Sequence, residues 1–415
     1  MTTAEAATSL DRRIDEAARR VEQKVIAIRR DIHQHPELGN REVRTAKLID
    51  ERLRQLGIDT RTGVAHTGVV GLLRGGKPGR VVALRADMDA LPVTEQVDLP
   101  FASKVRTTFN GEEVGVMHAC GHDAHVAILL GVAEVLAGMR EELPGTIKFI
   151  FQPAEEGPPR GEEGGAALMV KQGVMENPKP DVVFGLHVTS RIPVGTVSYK
   201  PGSMMAAVDM LSIEVRGRQT HGAYPWLGVD PIVVASQIVL GLQTIPSRQL
   251  DSSLAPAIVT IGMIRGGIRN NIIPDSVQMV GTIRSLDKEM QKEIHERIRR
   301  TAEQIAASAG ASATVTIETG YPIVFNDPNV TARAAPTLAR LAENAVVMNP
   351  VLGAEDFSFF QEKVPGLFYF LGTRPKNQTA EEAPSNHSPL FYVDESGLLL
   401  GVKSLATLAV EFLRK

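Results

Sequence analysis

The chain is 415 residues long, which favours two domains over one. Its 43% hydrophobic and 22% charged residues are those of an ordinary globular protein, and a formal net charge of −3 leaves no basic excess for a nucleic-acid partner. A single cysteine excludes an internal disulfide and fits a reducing cytoplasm. No segment has the apolar length of a secretion signal or a membrane span, so a cytoplasmic protein without a membrane partner is expected unless an export signal is missing from the chain.

Residues 10–32 space their apolar side chains for an amphipathic helix; after a break at Pro36 a second helix runs to a stop at Gly57. Four short runs then follow along the chain: VVALRADMD (81–89), GTIKFIFQPAEE (145–156), DVVFGLHV (181–188) and GLFYFLG (366–372). Each is continuously apolar and rich in β-branched or aromatic residues, the pattern of strands buried on both faces. A helical pattern over 124–139 lies between two of them, and such alternation predicts an α/β domain, a mainly parallel sheet covered by helices.

Residues from about 208 to 320 read differently. A strand starting at 208, a helix N-capped by Asp230 with Pro231 in its first turn, two strands, a long helix ending at a glycine and a last strand give the order βαββαβ. This is a ferredoxin-like split βαβ sandwich. Because an α/β-type strand returns at 366, the sequence predicts a discontinuous main domain, 1–205 and 321–415, interrupted by an inserted domain, 206–320.

In open α/β sheets ligands bind at the carboxyl ends of the strands, and the chemically active residues sit there. Asp87 and Asp89 follow one strand, Glu155 and Glu156 another, and His187 a third. Cys120 and His122, in MHACGHDAH (117–125), precede a helix, and His387 lies in a loop after the last strand. At this point a thiol nucleophile, a metal site and a buried cluster all remain open for Cys120. Thiolate, imidazole and carboxylate together form a ligand set for zinc or another borderline divalent ion. Cys120 and His122 can point the same way if their segment is extended. The donors Cys120, His122, Glu156, His187 and His387 exceed what one tetrahedral ion needs, and two ions sharing the thiolate would accommodate them. Of the adjacent glutamates, one can bind metal while the other moves a proton; the residues alone do not say which.

RADMDALPVTE, MHACGHDAH, FQPAEEGPPRGEEGGA, GLHV, GRQTHGAYP, GAEDFSFF and NHSPLF occur in that order. Together they resemble the metal-dependent amidohydrolases of the aminoacylase and carboxypeptidase family, in the branch of hippurate hydrolases and indole-acetyl-amino-acid hydrolases. The resemblance runs from about residue 28 to the C-terminus. It implies a zinc-exopeptidase-like catalytic domain and an insert that serves as lid and dimerisation surface. It also implies two divalent ions per chain (zinc, manganese, nickel or cobalt), with Cys120, His122, Glu156, His187 and His387 as ligands and Cys120 as the bridge. Glu155 becomes the general base. His221 is expected to reach a neighbouring subunit's site and hold the oxyanion, and Arg269 and Asn270 to hold the substrate carboxylate. The implied reaction is hydrolysis of a small-molecule N-acyl amino acid, hippurate-like or aromatic-acyl, by a homodimer or higher homo-oligomer. A dipeptidase or carboxypeptidase is the first alternative, and a non-catalytic binding or scaffold relative the second.

One position departs from the wider carboxypeptidase pattern. Where those enzymes carry a His-x-Asp pair this chain has Arg85-Ala86-Asp87, and a guanidinium cannot ligate, so Asp87 is expected to support the ligands from behind. Blander roles compete elsewhere. His33 and His35 have no carboxylate at ligand spacing and are expected to cap or pack; His125 to pack or support; Glu162 and Glu163 to be solvated. Asp356 is as well placed to cap a helix as to serve a site, and Tyr224 and Trp226 either pack or form an aromatic wall.

Overall fold

The structure is a computed structural model that describes residues 3–414. The chain forms two compact units: one of residues 1–202, 325–349 and 359–415, the other of 203–324 and 350–358. Residues 350–358, which the sequence reading puts in the main domain, run with the second unit. The reason is local: Val351 N–H donates to Met204 O at 2.9 Å, and Ala206 N–H donates back to Val351 O at 3.2 Å.

The first unit is built on a mixed eight-stranded sheet among the described residues. Its order is Asp59–Val64, Gly68–Arg74, Pro144–Gln152, Lys77–Asp87, Val182–Pro193, Gly366–Arg374, Thr196–Tyr199 and Asn344–Val347. The four apolar runs form its consecutive central strands, all parallel to one another. Antiparallel neighbours flank them: Gly68–Arg74 on one side and Thr196–Tyr199 on the other. Helices His122–Ala137 and Leu398–Arg414 are buried almost throughout, and their side chains join the strands in one hydrophobic core. Helix Thr3–Gln34 adds Ile14, Ala18, Val21, Val25, Ile28 and Ile32 to that core, a stripe at three- and four-residue spacing. Over Glu395–Arg414 the mean hydropathy of 1.5 is that of a membrane span, but 78% of the apolar window is buried inside the protein, so this is a core helix.

The second unit is a four-stranded antiparallel sheet in the order Ala257–Gly266, Ser276–Ser285, Ala207–Arg216, Ser312–Thr319, with helices Pro231–Thr244 and Lys288–Ser308. That is the ferredoxin-like arrangement. Asp230 caps the first helix by accepting from Ile232 N–H, and Asp287 caps the second by accepting from Met290 N–H. Leu211, Ile213 and Val215 alternate inward from one strand to meet Ile294, Ile298 and Ala302 of the long helix.

Candidate metal centre

In the first unit the loop after Pro144–Gln152, the start of helix His122–Ala137 and the loop beyond Gly366–Arg374 bring Glu155, Glu156, Cys120, His122 and His387 to His187, which lies inside strand Val182–Pro193 and not after it as the sequence reading has it. Donor atoms of Cys120, His122 and His187 lie within 4.8 Å of one another; so do those of Cys120, Glu156 and His387, and those of His122, Glu155 and Glu156. Cys120 therefore stands in two overlapping triads. Its Sγ is 3.4 Å from His187 Nε2, and His387 Nε2 is 3.0 Å from Glu156 Oε1. Two donors on one tetrahedral ion stand roughly 3–4 Å apart, so these spacings suit ligands around ions.

Cys120 and His122 converge through a turn, not through the extended segment assumed from the sequence. Gly121 has φ 90° and is the N-cap of helix His122–Ala137; a Cβ there would lie 2.3 Å from Val188 Cγ2. Only glycine meets both demands without strain. His387 also has a positive φ, 71°, and is held there. Its N–H donates to Ala119 O at 2.8 Å, and Asn386 Nδ2 donates to Cys120 O and Val188 O, both at 3.2 Å.

The ring hydrogen bonds distinguish free imidazole nitrogens from spent ones. His187 Nδ1 is 2.7 Å from Val188 O, an acceptor, so Nδ1 carries the proton and the Nε2 lone pair faces Cys120. His122 Nδ1 is 3.2 Å from Asp89 Oδ1, and its buried Nε2 has no hydrogen-bond partner. Both are the tautomer a metal requires. His125 is the reverse case. Its Nε2 accepts from Val188 N–H at 2.8 Å and its Nδ1 is 2.5 Å from Asp87 Oδ1, so neither nitrogen is left to bind an ion.

Asp87 is wholly buried between this imidazole and Arg85, whose Nη1 donates to Oδ2 at 2.6 Å. Burial pushes the Asp87 carboxyl up, but Arg85, His122 and His125 outweigh it, and it is held well below its usual range. Asp89 accepts from Glu156 N–H at 3.0 Å and so orients both a histidine and a glutamate. The two glutamates both reach His122 but differ in their further partners. Glu156 faces Cys120 and His387, while Glu155 Oε2 is 3.9 Å from His122 Nε2. The turn is set by Ala154, at φ 50°, whose N–H donates to Oε1 of the fully buried Glu42 at 2.9 Å. Glu42 was not legible as a site residue, since its partners Thr67 and Ala154 are 25 and 112 residues away.

Electrostatics points the same way. Burial pushes the His122 ring down, but Asp87, Asp89 and Cys120 raise it well above its ordinary pKa. His387 is pushed up to about 10, chiefly by Cys120 and then Glu156. The cluster lacks positive charge, which divalent ions would supply.

The remaining candidates lie elsewhere. His221, Arg269 and Asn270 belong to the second unit, exposed on and beside one two-stranded ladder in which His221 pairs with Ile272. His221 Nδ1 accepts from Ala223 N–H at 3.0 Å, so in the neutral ring Nε2 carries the proton and faces outward. Tyr224 and Trp226 stack edge to face at 5.7 Å and are 50% and 72% exposed, outside the buried core of their unit. Asp356 is buried in the 350–358 segment of the second unit, ahead of helix Ser358–Gln361. Glu162 pairs with Arg41, and Glu163 with Lys171, at the surface. His35 Nδ1 caps Asp31 O at 2.8 Å. His33 departs from the sequence reading. It is buried, with Nδ1 2.8 Å from Asp123 Oδ2 and Nε2 3.0 Å from Glu95 Oε1, because the fold delivers carboxylates from 90 and 62 residues away.

Residues 83–411 match the family described as Peptidase family M20/M25/M40. The chain belongs to this family. It is similar to thermostable carboxypeptidase 1 of Saccharolobus solfataricus, 45% identical over 96% of this chain and 97% of that one. It is also similar to N-acetylcysteine deacetylase of Bacillus subtilis, 41% identical over 93% and 96%. Among solved structures, the YXEP protein of Bacillus subtilis, a dinuclear metal-binding peptidase of the M20 family, superposes with a TM-score of 0.81 at 38% identity, covering 95% of this chain and 99% of that one. The M20/M25/M40 chain described here is accordingly a metal-dependent hydrolase of amide bonds, with the family's α/β architecture.

Proposed function

We propose that this enzyme hydrolyses the amide bond of N-acyl amino acids, and that Cys120, His122, Glu156, His187 and His387 would hold its two divalent ions. The observation that carries the reading is the pair of overlapping donor triads on Cys120, with Glu155 beside them. A thiol nucleophile would need a base and leave the glutamates without a task. Burial and Glu156 push the Cys120 thiol up, against nucleophile chemistry in a metal-free site. Bound ions supply Lewis acidity and a lowered water pKa.

The protein's own groups do the rest. Glu155 takes the proton of the attacking water at a carboxylate oxygen and returns it to the leaving amine nitrogen. His221 Nε2–H donates to the carbonyl oxygen as negative charge develops there. Asp87 and Asp89 fix the rings behind the ligands, and Arg269 and Asn270 meet the substrate carboxylate. The same reading places the enzyme in the cytoplasm, as its single cysteine suggests, and makes it a homodimer through the second unit.

Elemental analysis before and after chelation, paired with turnover of N-acyl amino acids and free dipeptides, tests this. About two ions per chain, with activity lost on chelation and restored by metal, is the expected outcome. Glu155→Gln should keep the ions while turnover drops on the order of 10²–10⁴-fold. Near-normal turnover by that variant would sink the assignment, and preference for free dipeptides would favour the dipeptidase.

A further inference from the structure

Arg29 and His33 lie one turn apart near the end of helix Thr3–Gln34, on the same face. Both reach one carboxylate oxygen: Arg29 Nε donates to Asp123 Oδ2 at 2.7 Å, and His33 Nδ1 is 2.8 Å from the same atom. The other ring nitrogen of His33, Nε2, is 3.0 Å from Glu95 Oε1. Both partners are carboxylates and accept, so both ring nitrogens donate and the ring is an imidazolium. Burial lowers the pKa of His33, but Asp123 and then Glu95 outweigh it and raise it above its ordinary value. All four side chains are buried, none more than 1% exposed. Phe101 closes over them: the Arg29 guanidinium carbon is 5.2 Å from its ring centre, and His33 meets the ring edge to face at 5.7 Å.

Asp123 immediately follows His122, and the two residues open helix His122–Ala137. The N-cap of that helix is Gly121, which has no side chain to cap it. Successive residues of a helix point about 100° apart. Asp123 is therefore turned to helix Thr3–Gln34 while His122 joins Cys120 and His187 in the donor cluster. A first turn whose Asp123 is gripped by two cations cannot roll about the helix axis, and that fixes where His122 points. Asp89, 3.2 Å from His122 Nδ1, restrains the ring but not the backbone that carries it.

We propose that His33, through its bond to Asp123, is a positioning residue for His122, and that it governs how tightly and in what geometry the metal centre is held. This rests on the reading of His122 as a ligand and adds the group that aims it. His33 stands outside the donor cluster and acts only through Asp123, so its two hydrogen bonds have different consequences. The bond to Asp123 reaches the metal centre; the bond to Glu95 contributes to the fold alone.

Those two bonds can be removed one at a time. Both substitutions discard the charge of the ring. In His33→Asn the amide nitrogen can stand where Nδ1 stands and keep the bond to Asp123; in His33→Gln it can stand where Nε2 stands and keep the bond to Glu95. The full chains of wild type, His33→Asn, His33→Gln, Asp123→Asn and His122→Ala are titrated with cobalt(II) against a chelator. The visible spectrum of each cobalt-loaded protein, its kcat and KM at saturating cobalt, and urea unfolding of its metal-free form are measured alongside. His33→Gln should weaken cobalt affinity about 10- to 100-fold, alter the spectrum and lower kcat with KM within about twofold, whereas His33→Asn should stay within about threefold of wild-type affinity and keep the spectrum. Asp123→Asn keeps the shape without the charge and should weaken cobalt affinity as His33→Gln does, which keeps the test decisive if one His33 variant fails to fold. Each His33 variant loses one buried bond, so a purely structural role predicts equal affinities and unaltered spectra for the two. That outcome, or wild-type cobalt affinity in His33→Gln or Asp123→Asn, would overturn the proposal while leaving His122 a ligand. Unchanged cobalt affinity in His122→Ala would overturn the ligand reading and the proposal together.

Discussion

Three buried carboxylates around the donor cluster have different tasks, and their surroundings separate them. Asp87 is kept ionised by Arg85 and His125, and Asp89 is spent on His122 and a backbone N–H. The hydrogen-bond partners of the Glu42 carboxyl are the neutral Thr67 hydroxyl and Ala154 N–H. Burial, and then the nearby charge of Asp89, raise its pKa to about 8, although Thr67 Oγ, at 2.5 Å, and Ala154 N–H offset part of that. A carboxyl whose folded pKa lies above its unfolded value contributes stability that is complete below about 4.5 and disappears as pH rises through about 8. The wild type should therefore lose stability relative to Glu42→Gln across that window, on the order of a few kcal/mol in total. Urea denaturation of both proteins at pH 5, 6.5 and 8 reads this out, and parallel pH profiles would show that Glu42 is ionised in the fold. Glu42→Ala also removes the acceptor that fixes Ala154 in its left-handed conformation. It should lower kcat more than Glu42→Gln does, because the amide oxygen of Gln still accepts from Ala154 N–H.

At the scale of elements, what the sequence discloses follows burial. The central strands advertise themselves because both faces are covered and nearly every residue is apolar; Pro144–Gln152 and Val182–Pro193 contain long buried runs. The edge strand Asp59–Val64 is mostly exposed, and its sequence, DTRTGV, carries no such signal. Thr196–Tyr199 and Asn344–Val347 are four residues each, too short to show a period. The donors Cys120, His122 and Glu156 were legible because they stand beside a helix start or a strand end, whereas His187 lies inside strand Val182–Pro193 and His387 in a loop well past Gly366–Arg374. The network around them was not, since His33, Glu42 and Asp123 find their partners through the fold and not through spacing. The Cys120–Gly121–His122 turn belongs with these elements, since it starts a helix and aims two donors at once. Gly121→Ala adds a Cβ 2.3 Å from Val188 at a φ of 90°. The expected cost is about 1–3 kcal/mol in chemical denaturation of the metal-free protein, with weaker metal retention in competition with a chelator. Unchanged stability together with unchanged retention would mean that the turn relaxes freely.

At the scale of the whole molecule, the second unit carries two features that a lone protomer does not need. Strand Ala257–Gly266 is one edge of its sheet, with Ile258 39% and Ile264 55% exposed, and helix Pro231–Thr244 exposes Val233 at 54% and Leu240 at 71%. An unpaired, apolar edge invites pairing with a second copy. We place the proposed dimer contact there, where it would give His221 a route to the partner's site. Ile258→Lys with Leu240→Lys should then yield a monomer in sedimentation experiments, with Glu155 and the metal donors intact but turnover reduced to the level expected of His221→Ala, which loses the same donor to the carbonyl oxygen. Mixing the variants decides whether His221 acts across the dimer. In a heterodimer of Glu155→Gln with His221→Ala, one site combines an intact Glu155 with the partner's intact His221, and the other has neither. After unfolding and joint refolding, random pairing makes half of the dimers mixed, so activity should recover to about a quarter of wild type from two nearly inactive parents. If His221 serves its own subunit, every site in the mixture lacks one group or the other. Turnover then stays at parental levels even when heterodimers are verified by differential tagging.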